Sequence, residues 1–499
     1  MKRLALALCV ALGSACGDDV PHDDEPLGPT LSSLHVRVRD GVLHGKSAGG
    51  VRAFLGVPYA KPPVGELRWR SPEPAARWQG EREATEYGPM CPQVPLSPVS
   101  EDCLSLNVWA PEPAASPRPV MVWLHGGAFA VGSNALYDGA PLAARGDVVL
   151  VAANYRLGAL GFLAHPALTA EKQGRGSSGN YGIEDGVLAL RWVKENIAAF
   201  GGDPNNVTLF GESAGSALTC VLLGTPAANG LVHRAIMESG ACLGFESPLA
   251  DAEARGEKTV QAIGCAGPDT LACLRGKDAL ELTVASTDLL ATLLQQRWRP
   301  IIDGVLVPPI AAVNPVRLPI ILGTNRDEGG AFGILAPTQS SFASRVEGYY
   351  PDPAHAKVVL DTYSAEQQGS WSGAFSALAT DGLFVCPTRR LARRASAEVA
   401  TYVYSFAHGE AHHADEVPYV FGLPGLDAEA RRVSDQMMQA WTRFAKTGDP
   451  NGEGALTWPR YDARSDQHMV FDATPSIGTG LRGTTCDVLD TLPPLQFAN

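Results

Sequence analysis

From about residue 31 onward, short apolar runs alternate with longer segments whose apolar residues recur at helical spacing. The runs VMVWL (120–124), VVLVAA (148–153), NVTLF (206–210), RAIME (234–238), PIILG (319–323) and TYVYSF (401–406) carry few polar positions. A strand with one face in water would alternate apolar and polar residues, so these runs predict strands of a sheet covered on both faces. Between some of them lie helix-like segments such as EDGVLALRWVKENIAAF (184–200), where Val187, Leu190, Trp192, Val193 and Ile197 roughly follow one helical face. Strands alternating with helices predict an α/β fold with a largely parallel sheet. No internal repeat and no shift of composition divides 31–499, which reads as one domain.

Composition adds little to that picture and removes some alternatives. At 45% hydrophobic and 19% charged the 499 residues can bury a large core, and the chain is neither disordered nor fibrous. The net charge of −13, with no long basic block, lacks the phosphate-neutralising footprint of a nucleic-acid binder. The beginning is different in kind. MKRLALALCVALGSACGDD has a basic start, an apolar run from Leu4 to Leu12 and small residues ahead of Cys16. It reads as an export signal over 1–15, too short to span a bilayer stably. The GSAC end resembles the signal of a bacterial lipoprotein, with Cys16 as the lipidated first residue, although Gly13 stands where Leu is usual; simple secretion is the other reading. Residues 16–30 then form an acidic, Pro- and Gly-containing tether that cannot build a core. Export implies an oxidising compartment, and eight of the ten Cys lie beyond Cys16, which permits disulfides.

The chemistry is concentrated in VTLFGESAGSALTCVLL, a strand followed by Gly211-Glu212-Ser213-Ala214-Gly215 and an apolar helix. This is the G-x-S-x-G elbow in its expected context. The sharp strand-to-helix turn holds Ser213 in a strained conformation, and side chains at 211 and 215 would crowd the neighbouring strand and helix. The hydroxyl is presented at the edge of the sheet with a helix N-terminus beneath it. Serine is a weak nucleophile and needs a base, an acid to orient that base, and donors for a developing oxyanion. VMVWLHGGAF puts Gly126, Gly127 and Ala128 directly after a strand, in a loop whose N–H groups could complete an oxyanion hole with that of Ala214. A loop acid after PIILG fits the chain order Ser, acid, His, and spacing alone admits either Asp327 or Glu328.

With these motifs the chain resembles the type-B carboxylesterases, the family of cholinesterases, liver carboxylesterases and bacterial para-nitrobenzyl esterases. The resemblance covers nearly the whole mature chain: FLGVPYAKPPVGELRW (54–69), SEDCLSLNVWAP (100–111), HGGAF (125–129), NYRLGALGF (154–162), the long segment 179–215, GTNRDEG (323–329) and QAWTRFAKTGDPN (439–451). It implies the α/β-hydrolase fold, with long helical and loop insertions around the site. It further implies Ser213 as nucleophile, Glu328 rather than Asp327 as triad acid, and Gly127, Ala128 and Ala214 as oxyanion donors. Glu212 is expected near the site, tuning the imidazolium, with a structural charge partner as the other reading; Arg156 and Asp185 match a structural ion pair.

Three histidines, His408, His412 and His413, fall within six positions in a chain that holds eleven. The family motif runs from the catalytic His through a short spacer to P-[FY]-V-F-G, read as a strand or turn, and counting back from Pro418 selects His413. His408 and His412 are then ordinary loop residues. HGEAHH lacks the helical spacing of a zinc-protease motif, so no metal is expected. GTGLRG (478–483) matches a dinucleotide fingerprint in letters but lacks the strand and helix of a βαβ unit, so no nucleotide cofactor is expected. The resemblance pairs Cys91 with Cys103, Cys265 with Cys273 and Cys386 with Cys486, and leaves Cys220 and Cys242 unassigned. The loop between Cys91 and Cys103 lacks an aromatic residue to form a cation–π platform, which argues against choline esters.

The expected function is therefore a cofactor-free serine carboxylic-ester hydrolase acting on small or medium uncharged esters through an acyl-serine. Its partner is a small-molecule ester, with no nucleic acid, and its only membrane attachment is the lipid at Cys16. An amidase, thioesterase or carbamate hydrolase uses the same machinery, and a non-catalytic surface module of the same fold is the contrasting reading.

Overall fold

The computed structural model of the chain describes residues 34–94, 98–171, 176–241, 247–286, 297–309, 316–493 and 495. The expected signal, the tether with Cys16, and Cys242 lie outside the described residues.

Each apolar run becomes a strand of one eleven-stranded sheet. In chain order its strands are β1 Lys46–Ala48, β2 Val51–Pro58, β3 Ser105–Ala110, β4 Arg118–Leu124, β5 Val149–Ala153, β6 Gly202–Glu212, β7 Arg234–Glu238, β8 Ile320–Asn325, β9 Thr401–Phe406, β10 Gln467–Phe471 and β11 Ser476–Thr479. Across the sheet they lie in the order β11-β10-β9-β8-β7-β6-β4-β5-β3-β2-β1. Pairing is parallel from β5 to β10 and antiparallel at both margins. Two small sheets lie outside it, one of His35–Val38, Gly41–His44 and Glu81–Glu83, the other of Ser247–Pro248 and Ile301–Ile302.

The continuous apolar runs have a direct cause. Successive side chains on a strand point to opposite faces, and here both faces are dry. On β4, Val122 enters one core while Met121 and Trp123 enter the other; on β6, Leu209 and Phe210 part in the same way. The first core is covered by α1, Tyr181–Asn196, and α2, Ala214–Gly224, through Leu190, Val193, Leu218 and Val221. The second is covered by α3, Ala428–Thr447, through Val433, Met437, Trp441 and Phe444. A third cluster, built on Phe342, Val359, Phe375 and Leu378, packs helices inserted between β8 and β9. It is tied to the C-terminal segment by the disulfide Cys386–Cys486.

Two helical expectations shift. The helix expected over 184–200 starts at Tyr181 and stays α-helical to Asn196; Ile197–Phe200 tightens into a 3₁₀ turn that ends at Gly201, whose φ of 88° is cheap only for glycine. PYVFG, expected as a strand or turn, is a short helix, Val417–Phe421, closed by Gly422 in the left-handed region. The segment 478–483 does have flanks, the edge strand β11 and the helix Gly483–Leu489. That strand runs antiparallel to β10, so the parallel βαβ setting of a dinucleotide site is missing all the same. Cys91–Cys103 and Cys265–Cys273 are joined as well, and Cys220 is also disulfide-bonded.

Candidate active site

The site forms at the carboxyl edge of the parallel strands, where β6 turns into α2. Ser213 occupies φ 55° and ψ −121°, a strained region for a residue with a Cβ. Its backbone N–H donates to Glu238 O at 2.9 Å, which fixes the turn to β7. The glycines on either side are sterically required: a Cβ on Gly215 would run into Leu124 O, and one on Gly211 would lie 2.6 Å from the same oxygen.

His413 reaches the serine from the segment between β9 and the helix Val417–Phe421. Its Nε2 accepts from Ser213 Oγ at 2.9 Å and its Nδ1 donates to Glu328 Oε2 at 2.7 Å. Glu328 is wholly buried, and its Oε1 accepts the Asn325 N–H at 2.7 Å, so both carboxylate oxygens are held. The neighbouring acid faces another way: Asp327 points outward to Arg326 at 2.8 Å and remains about half exposed. The histidine cluster separates likewise. His408 pairs with Asp472 at 3.1 Å and His412 with Glu410 at 3.5 Å, so the three rings face three different carboxylates. Phe384 packs against the His413 ring with centroids 4.6 Å apart. It stands on a π-helical stretch, Thr380–Val385, a form often found at functional sites.

The loop after β4 supplies unpaired donors. Among the described residues the N–H groups of Gly127 and Ala128 donate to no protein acceptor, and Ala214, first residue of α2, has no intrahelical one. Ala128 and Phe129 take φ of 53° and 58°, Gly127 109°. A Cβ at Gly126 would press on Glu212 Oε2 and lie 3.2 Å from Ser213 Cβ. The strained loop is braced from outside: Gln93 both donates to Gly132 O and accepts from Gly132 N–H at 2.8 Å, and Tyr155 OH donates to His125 O at 2.7 Å. His125 stacks on Tyr155, and burial holds its pKa down to about 4, so it remains neutral.

Glu212 lies within the site: its Oε1 is 3.2 Å from His413 Nε2. Burial, with the Glu328 charge, pushes its pKa up to about 7, against the pull of His413. Burial disfavours the imidazolium of His413, but Glu212 and Glu328 outweigh it and hold that pKa up at about 9. Sequence reasoning missed two further buried carboxyls. Glu416 accepts from Asn325 Nδ2 at 2.5 Å and from Ser239 Oγ at 3.2 Å, and burial, then the charges of Glu212 and Glu328, hold it well above the carboxylate range. Glu238 accepts from Trp441 Nε1 at 2.7 Å and is pushed up by burial to about 8. Nothing in HADEVPYVFG or RAIME announces these roles, because each depends on a partner about 90 to 200 positions away. Arg156 and Asp185 form a buried fork at 2.7 and 2.8 Å, as expected of a structural pair.

The arrangement can move a proton from a serine to an imidazole while an anion develops beside three N–H groups. Known proteins resemble the chain over nearly its whole described length. The carboxylesterase family matches residues 32–489. The para-nitrobenzyl esterase of Bacillus subtilis is 36% identical over 89% of this chain and 95% of its own length. The human cocaine esterase is 33% identical, covering 91% and 89%. A solved para-nitrobenzyl esterase structure superposes with a TM-score of 0.82 at 37% identity, covering 91% of this chain and 99% of that one. The chain belongs to the carboxylesterase family and is a serine carboxylic-ester hydrolase of the α/β-hydrolase fold.

Proposed function

We propose that Ser213, His413 and Glu328 carry out the hydrolysis, on small or medium uncharged esters, through an acyl-serine intermediate. The observation that supports this most is the continuous relay of 2.9 Å from Ser213 to His413 and 2.7 Å from His413 to Glu328. Neutral His413 takes the serine proton as Oγ attacks the ester carbonyl, and Glu328 fixes the tautomer and stabilises the imidazolium. The N–H groups of Gly127, Ala128 and Ala214 hold the tetrahedral oxyanion. His413 then protonates the departing alkoxide, and a water activated by the same base releases the acid. Glu212 stands beside this relay, its Oε1 3.2 Å from His413 Nε2: ionised, it stabilises the imidazolium, and protonated, it adds no charge there.

The enzyme is exported, and Cys16 anchors it to the bacterial cell envelope through lipid. The disulfides fit an oxidising compartment, and among the described residues no helix is long and apolar enough to cross a membrane. The experiment for the catalytic reading is steady-state kinetics on a panel of esters that begins with para-nitrobenzyl acetate, after the named relative, and varies acyl length, alcohol size and charge. Uncharged esters should give the higher kcat/KM; a uniform preference for charged esters would overturn the substrate class.

A further inference from the structure

A second cavity, of about 320 Å³, lies between α3, the loop 450–458 that follows it, and β10. None of the residues placed in the catalytic machinery lines it. That volume is at the low end for small-molecule sites, roughly 300–1,000 Å³. Its floor is apolar: Trp458, Met469 and Phe471 are almost fully buried beneath it, with Ala440 beside them. Leu456, 44% exposed, stands over it on the glycine-bearing loop.

One wall carries the polar groups. Gln436, Gln439 and Arg443 stand three and four positions apart and therefore share a face of α3. Arg443 donates to Gln439 Oε1 at 3.0 Å, and among the described residues no carboxylate pairs with it. A guanidinium has five N–H donors in a fixed fork that matches a carboxylate, so most of its capacity is unspent. Gln436 Oε1 is buried without a hydrogen-bond partner. Glu453, on the exposed loop, is the one carboxylate of the lining, and its charge disfavours a multiply charged anion such as phosphate.

We propose that this cavity binds a monocarboxylate with a compact apolar body, an aryl or short alkyl acid, its carboxylate on Arg443 and its body over Trp458 and Phe471. A carboxylic acid is also what ester hydrolysis releases, so the enzyme's own product class fits the second site. The test uses the full-length protein with Ser213 blocked by an organophosphate, which removes the catalytic pocket from the measurement. Calorimetric titration with phenylacetate should show one saturable site below about 10 mM. Phenylacetamide and phenethylamine should bind at least tenfold more weakly. Arg443→Gln should weaken phenylacetate at least tenfold, and so should Leu456→Asp, an exposed position that keeps the proposal testable if the first variant does not fold. Retained ester hydrolysis by the unblocked variants is the check on folding. Absence of saturable binding, equal binding of the three probes, or unchanged affinity in a folded variant overturns the assignment.

Discussion

At Ser213 a strained backbone, a base and a buried acid meet within two hydrogen bonds, and each makes a distinct forecast. Ser213→Ala should lower turnover by a factor on the order of 10⁶ where chemistry limits the wild type, read as kcat on a chromogenic ester. His413→Ala should cost several orders of magnitude, while His408→Ala and His412→Ala, paired with Asp472 and Glu410, should cost far less. Circular dichroism checks that each variant is folded; damage from His408→Ala or His412→Ala equal to that from His413→Ala would remove the assignment of the base. The base must be neutral, so activity rises with pH through the His413 titration, which Glu212 and Glu328 hold up at about 9 against burial. Glu212→Gln removes one of those stabilising charges, and the acidic limb of kcat/KM should move to lower pH. An unmoved limb would show that Glu212 does not act on His413. The register of VPYVFG made His413 legible in sequence, and family resemblance separated Glu328 from Asp327. Glu416 was not legible, because its carboxyl is pushed up by the burial and the neighbouring Glu212 and Glu328 charges that only the fold brings to it.

At the scale of elements, the most legible parts were those where one local pattern carries the whole constraint. An apolar run buried on both faces gives β5, β8 and β9 within a residue or two, and G-x-S-x-G gives the elbow because both glycines answer to fixed backbone contacts. Gly215→Ala should therefore destabilise the protein by about 1–3 kcal/mol and depress activity, measured by denaturant unfolding and by rate, since its Cβ has only Leu124 and His125 carbonyls to displace. A variant as stable and active as wild type would show that the elbow tolerates a side chain. Less legible were the margins of the sheet. Lys46–Ala48 and Ser476–Thr479 are short and partly exposed, so their pattern carries no clear strand signal and their pairing comes from neighbours. The helix Val417–Phe421 also escaped, since five residues closed by Gly422 give no helical period to read. The brace on the oxyanion loop is likewise tertiary: Gln93 stands 39 positions from Gly132 in sequence.

For the whole molecule, the disulfides fit an extracellular or periplasmic compartment. Cys386–Cys486 closes 100 positions of chain and joins the insertion bearing Phe384 to the C-terminal helix, a link expected to matter only where thiols oxidise. Cys16→Ser should release the protein from the membrane fraction of the producing cell, followed by fractionation and activity; a wild type found soluble with an unmodified N-terminus would contradict the anchor. The account as a whole stands on an acyl group carried by one serine. Intact-protein mass spectrometry of enzyme quenched in acid during turnover of a slowly deacylating ester tests that most directly. The expected result is one added acyl mass per chain, mapped by peptide analysis to Ser213 and absent from Ser213→Ala; rapid turnover with no adduct on Ser213, or an adduct on another residue that turns over at the catalytic rate, would contradict it.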